Sequence, residues 1–170
     1  MCNYKVARSA LHKLFVYGTL KRGEPNHYWL KKASNGYAKY ICKAATTKKM
    51  PLVIATRYNI PFLLDKPGHG NYVAGEIYEV DDRMLDKIEN LEGRDLLSRD
   101  IQDMNMGLQE GEVAQNRSML CVSAENYPEY LDQLPYLSEY LNTARHPYEA
   151  RSERDEKIVA KNDLLYNLFI

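Results

Sequence analysis

Long apolar runs are missing from this sequence: nowhere do the roughly 18 consecutive apolar residues of a membrane-spanning helix occur. The opening Met1-Cys2-Asn3-Tyr4-Lys5-Val6-Ala7-Arg8 has no apolar stretch of the kind that begins a secretory signal. Neither membrane insertion nor export is expected, and a cytoplasmic address is. Cysteine is scarce, with Cys2, Cys42 and Cys121 odd in number, far apart and in no CxxC pair, which argues against a disulfide framework and against a zinc site. Cys42 and Cys121 have no nucleophile elbow or paired histidine beside them and read as structural thiols. His12, His27, His69 and His146 stand in no HxxxH or HExxH spacing, so each reads as a surface or turn histidine and no metal centre is expected. Phosphate-cradling loops are absent as well: neither GxxxxGK nor GxGxxG occurs, and Gly68-His69-Gly70 lacks the third glycine. An excess of charge is also lacking, with 23 basic residues against 23 acidic ones. The 14 tyrosines are dispersed, without the aromatic and basic interleaving of a nucleic-acid platform. Nucleic acid and anionic membranes are therefore not expected as partners.

What is present is the composition of a soluble folded domain: 170 residues, 45% apolar and 27% charged, a length suited to one core. No repeat or linker divides it. The charge is unevenly spread, because residues 1–50 hold eleven Lys or Arg against the single acid Glu24, residues 51–100 hold six against ten, and residues 101–170 six against twelve. Segment charges of +10, −4 and −6 either offset one another in the fold or leave a basic amino-terminal part that attracts a small anion.

The apolar run Leu14-Phe15-Val16-Tyr17-Gly18-Thr19-Leu20, leaving through Lys21-Arg22-Gly23, predicts a buried strand that delivers a loop. A short helix fits 27–33. Residues 50–55 and 60–64 predict two short strands, and the proline in each places them at an edge or a bulge. The turn-rich 67–71 leads into a strand over 72–80, most simply as a hairpin with the strand before it. From Asp81 to Glu92 the period changes from two to 3.6, with Met84, Leu85, Ile88 and Leu91 on one face, Asp81 as N-cap, Val80 and Leu85 as a hydrophobic staple and Gly93 at the carboxyl-terminal cap. Residues 119–122 predict a further strand, and 129–134 and 136–141 two helical pieces separated by Pro135. The order suggests a mixed α/β fold. After Glu149 charge dominates until an apolar end over 164–170, read as a mobile or docking extension.

Two features could carry chemistry. Glu92 lies seven residues after Leu85 and four after Ile88, on the face otherwise given to burial. Partial burial and the negative end of the helix dipole both disfavour its ionised form, which suits a general acid or base. The alternative is that a glutamate in the last helical turn reaches solvent or an arginine such as Arg99. The second feature is Tyr17-Gly18-Thr19-Leu20, where a strand passes through glycine into a loop and backbone N–H groups can approach an anion, unless it is a plain strand end.

These residues together carry a resemblance. Phe15-Val16-Tyr17-Gly18-Thr19-Leu20-Lys21-Arg22-Gly23, followed by Asn26-His27, resembles the opening of the γ-glutamylamine cyclotransferase group of the γ-glutamylcyclotransferase-like (AIG2-like) family. Pro51-Leu52-Val53-Ile54, Tyr58-Asn59-Ile60-Pro61-Phe62-Leu63-Leu64, Pro67-Gly68, Gly75-Glu76-Ile77-Tyr78-Glu79-Val80-Asp81 and Met84-Leu85 follow in the family's order, so that the resemblance spans about 13–148. It implies a mixed α/β fold with a small β-barrel and flanking helices, over a domain of 1–154 with 155–170 as an extension. It also implies a cavity for a small-molecule γ-glutamyl substrate, with Glu92 as the essential acid and Tyr17, Gly18, Thr19 and Leu20 as the substrate loop. The reaction implied is release of an amine such as lysine from a γ-glutamyl isopeptide with formation of 5-oxoproline, and it needs no cofactor. Two alternatives stand beside it: action on γ-glutamyl amino acids, and a non-catalytic binding protein on the same fold. One departure bears on the second, since family members carry Tyr-x-Arg after the acid whereas this chain has Leu96-Leu97-Ser98-Arg99, with the arginine and without the tyrosine.

Overall fold

Asp81 does what its position predicts: its carboxylate Oδ1 accepts the Met84 N–H at 2.8 Å, closing the first turn of the helix Asp82–Glu92. Val80 and Leu85, the residues flanking that cap, are buried in the same cluster. The computed structural model describes residues 10–92, 97–100, 104–106, 117–122, 131, 133–145, 147–150 and 153, with backbone alone at 92, 97–100, 104–106 and 117–122. Gly93, residues 129–130, His146 and the segment 155–170 lie outside the described residues.

The elements in chain order are β1 (Leu11–Val16), α1 (Tyr28–Lys31), a 3-10 turn at Ala33–Asn35, β2 (Ala38–Thr46), β3 (Leu52–Ile54), β4 (Pro61–Leu63), β5 (Ala74–Asp81), α2 (Asp82–Glu92), β6 (Leu97–Asp100), β7 (Met104–Met106) and β8 (Arg117–Val122). Six strands form one mixed sheet in the order β6-β8-β1-β5-β2-β7, antiparallel except where β8 runs parallel to β1. The β3–β4 pair forms a separate two-stranded sheet, with Pro51 just before β3 and Pro61 opening β4, a position at which proline's missing donor is tolerated. Among the described residues no ladder joins β6 to β7, so the architecture is a mixed α/β sheet with few helices.

Strand alternation sorts the core into two sides. Leu14 and Val16 of β1 with Tyr78 and Val80 of β5 face α2, packing against Met84, Leu85 and Ile88. Phe15 and Ile77 face the opposite way, onto Met50, Leu52, Leu63, Val73 and Tyr140. A bulge in β2 between Tyr40 and Cys42 lets the strand serve both sides: Tyr40 pairs with Tyr78 on the α2 side, Cys42 with Ile77 on the other. Because α2 follows β5 without a connecting loop, it must fold back along the strand to bury its apolar face. Its 11 residues rise about 16 Å, close to the roughly 17 Å from Asp81 back to Glu76 along β5. In the last turn of α2, Leu91 packs against the cluster that holds Val16 and Leu20.

Two expectations are corrected. The strand after 67–71 does not form a hairpin with the one before it: β5 is almost wholly buried and takes β1 and β2 as neighbours, while β4 turns to β3. A central strand needs a partner on each side, which a three-residue β4 could not supply along the length of β5. The helical pieces near Pro135 are also replaced. Leu134 N–H reaches back three residues to the Leu131 carbonyl, a 3-10 bond, and 136–141 forms no helix, with a single bridge in which the Leu137 N–H is donated to the Leu52 carbonyl at 2.8 Å. Docking onto β3 satisfies backbone groups that an exposed edge would leave to water. The run expected as strand through Leu20 ends at Val16, and α1 falls inside the predicted 27–33. Replacing the cap, Asp81→Ala, is expected to cost about 1 kcal/mol and to lower Tm by about 2–4 °C in thermal denaturation; an unchanged Tm would show that the cap contributes nothing.

Candidate functional site

The loop leaving β1 is built from two successive turns. Lys21 N–H closes onto the Gly18 carbonyl at 3.1 Å and Glu24 N–H onto the Lys21 carbonyl at 3.0 Å, with Gly23 in the left-handed region at φ 85°. Gly18 is needed for a different reason, since a Cβ there would lie 2.6 Å from the Pro61 ring carbon. The loop thus rests on β4 through its glycine.

Its carbonyls are turned inward and bonded. Gly18 accepts from Lys21, Thr19 from the Asn26 N–H at 2.9 Å, and Leu20 from His27 Nδ1 at 3.1 Å, a contact that makes Nδ1 the protonated ring nitrogen. By contrast, the amides of Gly18, Thr19 and Leu20 donate no hydrogen bond among the described residues, though all three residues are buried. Three consecutive N–H groups in buried residues, with no acceptor among the described residues, are suited to anionic oxygens.

What holds the loop is a buried carboxylate. Glu76, only 7% exposed, accepts the Arg22 backbone N–H and the Arg22 Nε, each at 3.0 Å, and the Tyr78 hydroxyl at 3.0 Å. The Arg22 guanidinium then lies 3.6 Å over the Tyr40 ring. Burial works against a charged Glu76, but the Arg22 backbone and side-chain bonds, helped by the Tyr78 hydroxyl, outweigh it and hold the carboxyl below its ordinary range. The Tyr78 hydroxyl is pushed upward by burial and by Glu76. Lys21, 5% exposed, points away from Glu76 and donates to Glu139 at 3.0 Å and to the Tyr140 carbonyl at 2.8 Å. Glu24 accepts the Asn142 N–H at 3.1 Å, and its carboxyl is raised because burial outweighs that bond and the pull of Lys21. The segment 136–149 is therefore strapped over the loop, with the Tyr140 hydroxyl donating to the Asn59 carbonyl at 3.1 Å.

Of the residues named from sequence, Gly18, Thr19 and Leu20 share this loop, and Leu20 also packs in the α2-side core. Tyr17 is directed the other way, beside Phe15 at 6.5 Å between ring centroids, among the residues facing the small sheet. Glu92 closes α2, whose Leu91 packs against the cluster that holds Leu20; the Glu92 side chain lies outside the described residues. Arg99 sits in β6, an outer strand of the sheet. Glu76, Arg22, Lys21 and Tyr78 were not singled out by sequence reasoning, yet one signal was legible. Glu76 stands in phase with Tyr78 and Val80 on the buried face of its strand, where an unpaired acid is not tolerated.

Glu76→Gln keeps the shape and weakens the acceptor. A loss of about 1–3 kcal/mol is expected, tempered because the Arg22 side chain is half exposed and can rehydrate. The folded-state carboxyl is depressed, so its contribution is present above the ordinary glutamate range and lost as pH falls through the depressed value. Glu24, raised in the folded state, acts in the opposite sense, gaining as pH falls. Chemical denaturation across the acid range should show a steeper acid decline in wild type than in Glu76→Gln; parallel curves would remove Glu76 as the anchor.

The family model described as gamma-glutamyl cyclotransferase, AIG2-like, matches residues 14–137. Among curated relatives, the chain is 54% identical over 163 residues to the troponin C-akin-1 protein of Drosophila melanogaster, covering 95% of each. It is 40% identical over 147 residues to the gamma-glutamylaminecyclotransferase of Rattus norvegicus, covering 83% of this chain and 98% of that one. A crystal structure of an AIG2-like protein from Mus musculus superposes with a TM-score of 0.73 at 35% identity, over 85% of this chain and 99% of the other. A loop that follows β1 with its amides unspent and anchored from β5 thus comes in a chain with sequence similarity along most of its length: the chain belongs to the gamma-glutamyl cyclotransferase, AIG2-like, family.

Proposed function

We propose that this chain is a cyclotransferase that converts γ-glutamyl amines, ε-(γ-glutamyl)lysine among them, into 5-oxoproline and the free amine. The observation that carries the reading is the run of three undonated, buried amides at Gly18, Thr19 and Leu20 in a loop fixed by Glu76. These amides hold anionic oxygens of the substrate, its α-carboxylate and the oxyanion that develops at the γ-carbonyl. One good oxyanion donor is worth about 3 kcal/mol in a transition state.

Glu92 takes the general acid/base role. The glutamyl α-ammonium gives up a proton, the freed amine attacks the γ-carbonyl of the same molecule, and a C–N bond closes the five-membered ring. Collapse of the tetrahedral intermediate breaks the bond to the leaving amine, which receives the proton. One carboxylate serves both transfers, a role worth about 10² to 10⁴ in rate. Nucleophile and electrophile already share a molecule, so the protein's task is to fold the substrate for attack and exclude water. What supports the assignment is that Leu91, the residue before Glu92, packs against the cluster that contains Leu20 of the loop.

The same proposal includes the remaining expectations: a domain of 1–154 whose sheet curls into a small barrel around the γ-glutamyl group, an extension over 155–170, and a cytosolic setting. Among the described residues no helix is long and apolar enough to cross a membrane. The replacement of the family's Tyr-x-Arg by Leu96-Leu97-Ser98-Arg99, at the start of the outer strand β6, favours a second reading in which the fold binds ligand without turnover.

One experiment separates the readings. Purified protein and Glu92→Gln are incubated with ε-(γ-glutamyl)lysine and with γ-glutamylalanine, and 5-oxoproline and released amine are quantified. Wild type should release product, faster from the preferred class, and Glu92→Gln should fold normally while turnover falls at least about a hundredfold. Undiminished turnover in Glu92→Gln removes it from the mechanism. No turnover, with 5-oxoproline still raising Tm, turns the assignment to a binding protein.

A further inference from the structure

Two hydroxyls from opposite ends of the chain meet at one side-chain amide. Asn26 Nδ2 donates to Thr19 Oγ1 at 3.0 Å and to the Tyr148 hydroxyl oxygen at 3.0 Å, using both of its protons. Each hydroxyl therefore spends a lone pair on Asn26 and keeps its own proton. Among the described residues neither Thr19 nor Tyr148 donates that proton to anything, and Thr19 is only 7% exposed. Tyr148 is not left to wander. Its backbone N–H donates to Asn142 Oδ1 at 2.6 Å, the same oxygen receives Asn59 Nδ2 at 3.4 Å, and the Asn142 N–H is held by Glu24.

The spacing selects a ligand. Two acceptors each 3.0 Å from one planar NH₂ group stand about 5 Å apart. Hydrogen bonds of about 2.7 Å from both hydroxyls cannot converge on a single oxygen without driving it into the amide between them, but they reach the two oxygens of one carboxylate. Thr19 also belongs to the loop whose amides carry the proposed function, so the carboxylate lies at the substrate's own position. We propose that Tyr148 is a substrate-binding residue whose hydroxyl, paired with that of Thr19 and aimed by Asn26, holds the α-carboxylate of the γ-glutamyl group. Asn26 is the positioning residue. The hydroxyl pair thus shares the α-carboxylate with the loop amides, which also serve the developing oxyanion.

This inference rests on the cyclotransferase reading, and its test keeps the two apart. The α-carboxylate is retained in 5-oxoproline and missing from 2-pyrrolidone, so affinities for both are measured by titration calorimetry, with turnover of ε-(γ-glutamyl)lysine alongside. In Tyr148→Phe, affinity for 5-oxoproline should fall about tenfold or more and KM should rise by a similar factor, as expected for one hydrogen bond to a charged group. Affinity for 2-pyrrolidone, kcat and Tm should hardly move. Asn26→Asp turns both hydroxyl protons inward and sets a negative charge beside the carboxylate, so it should weaken 5-oxoproline at least as much; it serves as the test should Tyr148→Phe not fold. A wild type that binds and turns over, with Tyr148→Phe equal to it or impaired only in kcat, overturns the role of Tyr148 alone. A wild type that neither binds nor turns over overturns the cyclotransferase reading and this role with it.

Discussion

A carboxylate buried in the middle strand of the sheet is the constraint on which the site depends. Glu76 cannot remain charged inside the protein without donors, and two of its three described donors come from one residue, Arg22, through both main chain and side chain. That requirement fixes where the chain must go after β1. With Arg22 pinned to β5, the residues before it spend their carbonyls on the turns and on Asn26, and the amides of Gly18, Thr19 and Leu20 are left without an acceptor among the described residues. Satisfying one buried charge thereby leaves a second, complementary charge preference unsatisfied a few residues away. The Arg22 guanidinium stacked on Tyr40 completes the arrangement by covering the anchor from solvent.

The same loop is gripped from the other side by the strap over 136–149. Lys21 carries a buried charge to Glu139 and the Tyr140 carbonyl, while Glu24 takes the Asn142 amide, so consecutive residues of the loop answer alternately to β5 and to the strap. Leu137 in turn docks on β3 and Ser138 accepts the Ala74 N–H. The small sheet, the strap and the loop are therefore tied to one another and to the start of β5. The bulge in β2 serves the same end, letting one strand contribute Tyr40 to the α2 side and Cys42 to the other.

Much of this was legible in the sequence because local rules and tertiary needs agree there. The helix from Asp82 has cap, staple and periodicity pointing to one answer, and β1, α1, β3, β4 and β8 fall within or beside the segments that pattern marked. The loop Gly18-Thr19-Leu20 was legible for a chemical reason, a strand entering glycine, although the glycine serves close approach to Pro61 rather than an unusual φ. Three things escaped. The partners of β5 are set by its burial on both sides, which a turn-rich 67–71 does not encode. The segment 136–141 has helical spacing but is captured by an exposed strand edge, a tertiary preference overriding a weak local one. The polar network of Glu76, Arg22, Lys21, Asn26 and Tyr148 joins residues scattered along the chain, and no window of sequence contains it. Tyr17 shows the limit of a contiguous motif, since alternation directs it to the opposite face from the residues on either side.

The bonds between the loop and the strap bridge separations of 118, 119 and 122 residues. During synthesis the loop emerges among the first residues of the domain, while the groups that clamp it are made more than a hundred residues later. Helix α2 and the β3–β4 hairpin can form from neighbours alone, but closing so long a segment costs chain entropy that is recovered only when the final contacts lock. The working geometry of the loop thus depends on groups made more than a hundred residues after it. A chain interrupted before Tyr148 would retain the sheet's central ladders and the unspent amides, yet lack the clasp that gives them a fixed direction.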